Sequence, residues 1–295
     1  MKHTIYNSIK RGVLALVVLF STTLAFAQDG PLFSQQWLSR LNRNPAAAGA
    51  SGNLFDATMF YRNQWDNTLG TTLVNAEGYI DGIKSNLGFT FSYDKMSKAN
   101  QNVNALASYA YRFSISERLK LSFGLAAGIM NRNFNPGKLE LESGMDPGMV
   151  YEKSNSLKAD FSAGAELTSQ RLTVGLGITH LGNSSSGVAD DAYMQQQIYT
   201  YGRYLIGAAD KLDIAPAISW LHYGNDDLFE AGVSGIYDSK YWAGVAWRPN
   251  TSMVFSAGLE LFMFRLGYAY DLSIGDGKTI GGGTHEILLQ VRLAR

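Results

Sequence analysis

Alternation with a period of two, held for ten residues or more at a time, constrains this chain more than any other feature. Between Asn102 and Phe113, one set of positions carries Val103, Ala105, Ala107, Tyr109, Tyr111 and Phe113. The intervening set carries Asn102, Asn104, Leu106, Ser108, Ala110 and Arg112. The pattern repeats in Leu119/Leu121/Phe123/Leu125/Ala127/Ile129, Leu87/Phe89/Phe91/Tyr93, Leu172/Val174/Leu176/Ile178 and Phe264/Leu266/Tyr268/Tyr270. It closes the chain with Ile287, Leu289, Val291 and Leu293 set against Leu288, Gln290, Arg292 and Ala294. Successive side chains of a strand point to opposite faces, so this is the signature of half-buried strands and not of helices.

Three properties separate a transmembrane sheet from a soluble one here. The runs are near the nine to eleven or so residues that a tilted strand needs to cross a bilayer, and longer than the usual five or six or so. The face opposite the apolar one is rich in Gly, Ser, Thr and Asn with scattered charges, as a wet or loosely filled lumen requires. Aromatic residues gather near strand ends: Tyr61 and Trp65, Tyr109 and Tyr111, Tyr241 and Trp242, Tyr268 and Tyr270. That is where interfacial girdles lie. Composition agrees, with 17% charged residues against roughly 25% in soluble domains.

The alternation predicts strands at 54–65, 71–80, 85–95, 101–113, 119–133, 156–169, 171–183, 195–208, 212–223, 227–237, 241–248, 252–262, 264–272 and 284–295. The expected fold is therefore an all-β transmembrane antiparallel barrel of about 14 strands over residues 53–295. Connections after even-numbered strands are short, whereas those at 134–155, 184–194 and 273–283 are long. Outer-membrane barrels show this asymmetry between periplasmic turns and outer loops, which would put both termini in the periplasm. Residues 28–52 lack alternation, carry Pro31, Pro45 and Ala46-Ala47-Ala48, and read as a periplasmic or lumen-filling segment.

Ahead of that segment, residues 1–27 read as a signal peptide. Lys2, Lys10 and Arg11 form the positive region, Val13 to Phe20 the apolar region, and Ala25-Phe26-Ala27 the small-x-small cleavage site before Gln28. The apolar run is short of the 20 or so residues that a spanning helix needs.

Catalytic motifs are mostly wanting. With no cysteine, thiolate catalysis, disulfides and cysteine zinc sites are excluded. A formal net charge of zero provides no global field for nucleic acid. His180, His222 and His285 lack zinc-site spacing. His285-Glu286 opens like a zincin motif but lacks the second His. His180 near Ser184 to Ser186 permits an outer-membrane hydrolase reading, against the plainer one of a polar loop. Gly175-Leu176-Gly177 lies in a strand and is no nucleotide fingerprint. Glu140, Glu142, Asp146, Asp190 and Asp191 lack calcium-loop spacing. Arg112, Lys120, Glu260, Arg265, Asp271 and Arg292 fall on the lumen face, to pair with one another or to grip a guest chain. The chain reads as no enzyme, with no cofactor and no metal.

Two groups of segments are more specific. Gln28-Asp29-Gly30-Pro31-Leu32-Phe33-Ser34-Gln35-Gln36, Asn44-Pro45-Ala46-Ala47-Ala48-Gly49 and Tyr61-Arg62-Asn63-Gln64-Trp65 come first. Gly267-Tyr268-Ala269-Tyr270-Asp271 and Gly283-Thr284-His285-Glu286-Ile287 lie near the end. This ordered set resembles the PorP/SprF family of type IX secretion system membrane proteins across the mature chain. Three departures stand out: Gly30 is inserted before Pro31, Gln36-Trp37 replaces Gln-Tyr, and Gly-Ala-Pro is absent from Asp66 to Gly70.

The resemblance implies an outer-membrane accessory of secretion and gliding systems in a Gram-negative bacterium. Its implied partners are a large secreted adhesin with an uncleaved C-terminal secretion domain, periplasmic secretion or gliding components, and membrane lipid. It implies that the barrel helps to export, retain and anchor that partner, with a passive porin as the competing reading. The candidate partner-binding residues are Asn44, Pro45, Arg62, Trp65, Asp271, His285 and Glu286. Each also has a structural reading: Asn44-Pro45 as a turn, Arg62 and Trp65 as a strand-end anchor, His285 and Glu286 as the start of the last strand.

Overall fold

The computed structural model describes residues 33–64, 69–80, 85–135, 153–181, 195–275 and 282–294. The proposed signal peptide, Trp65, Ser184 to Ser186, the five loop carboxylates above and most of the three long connections lie outside them.

Alternation has become pairing. Fifteen strands form one sheet: β1 (Phe55–Gln64), β2 (Leu69–Ile80), β3 (Ser85–Lys95), β4 (Asn100–Ser114), β5 (Leu119–Phe134), β6 (Ser154–Ser169), β7 (Leu172–Thr179), β8 (Gln197–Tyr204), β9 (Ile206–Ala209), β10 (Leu212–Tyr223), β11 (Asp226–Tyr237), β12 (Tyr241–Arg248), β13 (Ser252–Leu261), β14 (Phe264–Ser273) and β15 (Thr284–Leu293). Neighbours in sequence pair antiparallel, and β1 pairs with β15 from Phe55↔Leu293 to Gln64↔Thr284. That last ladder closes the sheet into a barrel, which leaves no sheet edge to face lipid.

Strands β8 and β9 form a single span. Both pair with β10, Arg203 against Ala217 and Ile206 against Ile214, so they continue in one register across Leu205. The β10 residues left out of the two ladders are Ala215 and Pro216, and Pro216 has no N–H to give the ladder. Fourteen spans therefore close the barrel, as the alternation predicts. At β7 the strand ends at Thr179 and not at 183, because His180 takes a left-handed φ of 59°.

The two faces separate by parity. Leu121, Phe123, Leu125 and Ile129 of β5 point outward, as do Ile287, Leu289 and Leu293 of β15, and Leu125 is 67% exposed. An apolar outer band of this kind meets lipid. Tyr61 and Tyr268 lie at one rim, and Tyr111, Tyr237 and Tyr241 at the other, all outward. Trp242 departs from the expected girdle, since its parity in β12 turns it into the lumen.

Inside the barrel, the lumen face is polar and buried: Thr58, Arg62, Asn75, Glu77, Thr90, Asn104, Glu166 and Glu286 are all shielded from solvent. What shields them is the segment that precedes β1. Residues 33–50 enter the lumen as two short 3-10 turns, Gln36–Leu38 and Pro45–Ala47, joined by tight turns. They pack on the inner faces of β4, β5 and β6.

Candidate functional site

The site is the seat of this plug, and the barrel register assembles it. Arg62 on β1 stands directly opposite Glu286 on β15, and Asp271 on β14 lies beside them opposite Thr284. All three have lumen parity, so they meet behind the wall. Arg62 Nη2 pairs with Asp271 Oδ2 at 2.7 Å, and its Nη1 lies 3.4 Å from Glu286 Oε2. Arg248 on β12 bridges onward, donating to Asp271 at 2.7 Å and to Glu230 on β11 at 2.7 Å.

This network grips the start of the plug. The backbone N–H groups of Ser34 and Gln35 donate to the two oxygens of Glu286 at 2.6 and 2.9 Å. The Ser34 hydroxyl donates to Asp271 Oδ1 at 2.6 Å and accepts from Arg62 at 3.0 Å. Phe33 fills the apolar space alongside, against Phe60, Leu73 and Leu288. A buried carboxylate is tolerated where cations and N–H donors satisfy it, and Glu286, 0% exposed, has both.

Further along, each turn of the plug has its own polar clamp. Arg40 makes a forked contact with Glu166 on β6, at 2.9 and 3.2 Å, and Tyr201 on β8 donates its hydroxyl to the same carboxylate. Arg43 donates to Gln197. Asn44 caps the second 3-10 turn by accepting from Ala46 N–H at 2.9 Å, with Pro45 in the first position of the turn, where its missing N–H costs nothing. The Asn44 amide also donates to the Ala165 carbonyl at 3.0 Å and to Tyr201 at 2.9 Å. Gly49 N–H donates to Glu77 at 2.7 Å, and Arg112 donates to the carbonyls of Gly49 and Ala48.

Glycines on the wall let the turns lie against it. A Cβ at Gly124 would sit 2.2 Å from Ala46 N, and one at Gly177 would sit 1.9 Å from the Arg43 carbonyl oxygen. The wall is bare exactly where the plug's backbone touches it, which is the close approach that glycine permits.

Of the seven residues singled out in the sequence, the structure brings Arg62, Asp271 and Glu286 into one cluster and places Asn44 and Pro45 deeper along the same plug. His285 is separate: adjacent to Glu286 but of opposite parity, it points outward, with Nδ1 2.7 Å from the Tyr268 hydroxyl. Alternation thus divides the pair that opens like a zincin motif. Trp65 lies outside the described residues. Alternation missed Arg40, Glu77, Glu166, Tyr201, Glu230 and Arg248; a mid-strand carboxylate at lumen parity is the signal that marks Glu77, Glu166 and Glu230.

Several other lumen charges pair within the wall. Glu260 accepts from Arg265 at 2.6 Å and from Arg292 at 2.7 Å. His180 rests 2.9 Å from Asp160, which also accepts from Asn104 at 2.8 Å. No set of three metal-ligating side chains gathers among the described residues.

A family model described as type IX secretion system membrane protein PorP/SprF matches residues 25–291. No protein of curated function matches the chain. Among solved structures, it is similar to the Ralstonia pickettii toluene transporter TbuX, with 10% identity and a TM-score of 0.49 over 86% of this chain and 93% of that one. It is also similar to the CymD monoaromatic hydrocarbon channel, with 11% identity and a TM-score of 0.49 over 91% and 94% of the two chains. A Pseudomonas aeruginosa FadL homologue is 12% identical, with a TM-score of 0.45 over 84% and 91%. At these identities and scores, the likeness says nothing of what this barrel carries.

Proposed function

Since the chain belongs to the PorP/SprF family of type IX secretion system membrane proteins, we propose that it is an outer-membrane accessory that helps to export, retain and anchor a large secreted adhesin at the cell surface. The observation that carries this reading is the plug. Five of the residues that make up the family-like segments, Asn44, Pro45, Arg62, Asp271 and Glu286, seat residues 33–50 in the lumen. A barrel whose own N-terminal segment is clamped inside it is better suited to holding a partner than to passing solute freely, which weighs against the porin reading. In this arrangement both termini face the periplasm, and the partner docks at the rim where β1 ends and β15 begins, with His285 there as a contact candidate; Trp65 is a second candidate on its place in the sequence alone. Arg62, Asp271 and Glu286 then act on the partner through the plug they hold.

The test is a mild-detergent pull-down of the tagged barrel from its native host, with a matched strain lacking residues 134–155. A large secreted protein should copurify with the intact barrel and be strongly reduced in the deletion, while the barrel itself persists in the outer membrane. Recovery of the barrel alone, with solute flux through it in planar bilayers, would refute the reading in favour of a porin.

A further inference from the structure

The plug does not fill the lumen. Beside Ser34 to Leu38, against the inner faces of β10 to β13, lies a cavity of about 170 Å³. It exists because the wall there is built of small side chains: Ala217, Gly232, Ser234 and Ala246 all line it. A cavity of about 150 Å³ is enough for a benzene ring.

Its charges do not balance. Glu230 is already engaged by Arg248 at 2.7 Å. Arg265 pairs with Glu260 at 2.6 Å, a carboxylate it shares with Arg292, which also lies 3.9 Å from Asp56; Arg265 lies over the Trp242 ring, 5.6 Å from its centroid. Arg203 lies over the Trp37 ring, 5.9 Å from its centroid, and has no carboxylate partner among the described residues. Arg203 is half-buried, and cation–π contact offsets part of the cost of its partial desolvation, but leaves its forked N–H donors open, and these match a carboxylate in geometry and charge.

We propose that this cavity binds a small monocarboxylate with a ring-sized apolar body. The carboxylate would take the donors of Arg203, and the ring would lie between Trp37 and Trp242 against the small-residue wall. One uncompensated cation selects a single negative charge, which disfavours phosphates and dicarboxylates; the apolar walls disfavour acetate. The proposal does not depend on the adhesin reading, because it concerns the part of the lumen that the plug leaves open.

Titration calorimetry on the full-length mature barrel in detergent tests it, with phenylacetate as the probe and phenylacetamide as its uncharged equivalent. Phenylacetate should bind saturably and at least tenfold more tightly than phenylacetamide. Arg203→Gln should weaken phenylacetate about tenfold while leaving phenylacetamide unchanged, and Arg203→Lys should fall between. Equal binding of the two probes, no saturable binding of phenylacetate, or an unaltered Arg203→Gln variant would overturn the proposal. Should Arg203→Gln fail to fold, the wild-type comparison of the two probes still decides it.

Discussion

The two sides of the lumen wall are built on opposite plans. Around β14, β15 and β1 to β8, the inner face carries long polar side chains and bare glycines, and the plug is clamped to it through Glu286, Asp271, Glu166, Glu77 and Arg112. Along the middle of β10 to β13, the inner face is small, at Ala217, Gly232, Ser234 and Ala246, and a cavity remains between it and the plug. Both sides obey the same alternation and present the same apolar band to lipid. What differs is whether a lumen residue has an obligatory partner on residues 33–50, and hence which substitutions the plug must feel.

Replacing Glu286 by Ala should break this contrast most severely. It strips Ser34 and Gln35 N–H of their acceptors and removes a carboxylate from beside Arg62, and unmaking one partner of a buried ionic cluster costs about 3–5 kcal/mol. The plug's own Arg40 and Arg43 are trypsin sites inside the lumen, Arg43 buried and Arg40 largely so. Their cleavage, mapped by mass spectrometry, should rise sharply in Glu286→Ala while the barrel stays folded; protection equal to wild type would mean that the cluster does not hold the plug. Gly124→Ala comes next. Its new Cβ would meet Ala46 N at 2.2 Å, and overpacking of this sort costs about 1–3 kcal/mol, so cleavage at Arg43 should rise moderately. On the other side of the lumen, Ser234→Ala should change stability by no more than about 0.5 kcal/mol and leave the protection of Arg40 and Arg43 intact. A loss of protection there as large as in Gly124→Ala would dissolve the distinction between the two sides.

Most of the barrel was legible in the chain because the information is local. Strand β3 runs Ser85–Lys95, β10 Leu212–Tyr223 and β12 Tyr241–Arg248, the bounds that alternation predicts. Departures came where one residue changed the backbone: the left-handed φ of His180 ends β7 early, and Pro216 interrupts the ladder that β8 and β9 share. Trp242 was misplaced for a different reason, since aromatic content marks a strand end but only parity says which way the ring points. In the site, the family-like segments contain Arg62, Asp271 and Glu286 but do not show what joins them. Arg62, Asp271 and Glu286 resembled contacts to another chain, and in the structure they contact Ser34 of their own.

Period-two patterning, the lipid-facing set and the number of spans are properties of neighbouring residues, and the sequence by itself determined them. The occupant of the lumen was decided only in three dimensions. Ser34 reaches Glu286 across 252 positions of chain, and no local pattern encodes such a meeting; it follows from closure of β1 on β15, which turns Arg62, Asp271 and Glu286 toward a single point. The uneven filling of the lumen has the same origin, because side-chain size along β10 to β13 acquires meaning only once the plug lies against the opposite wall.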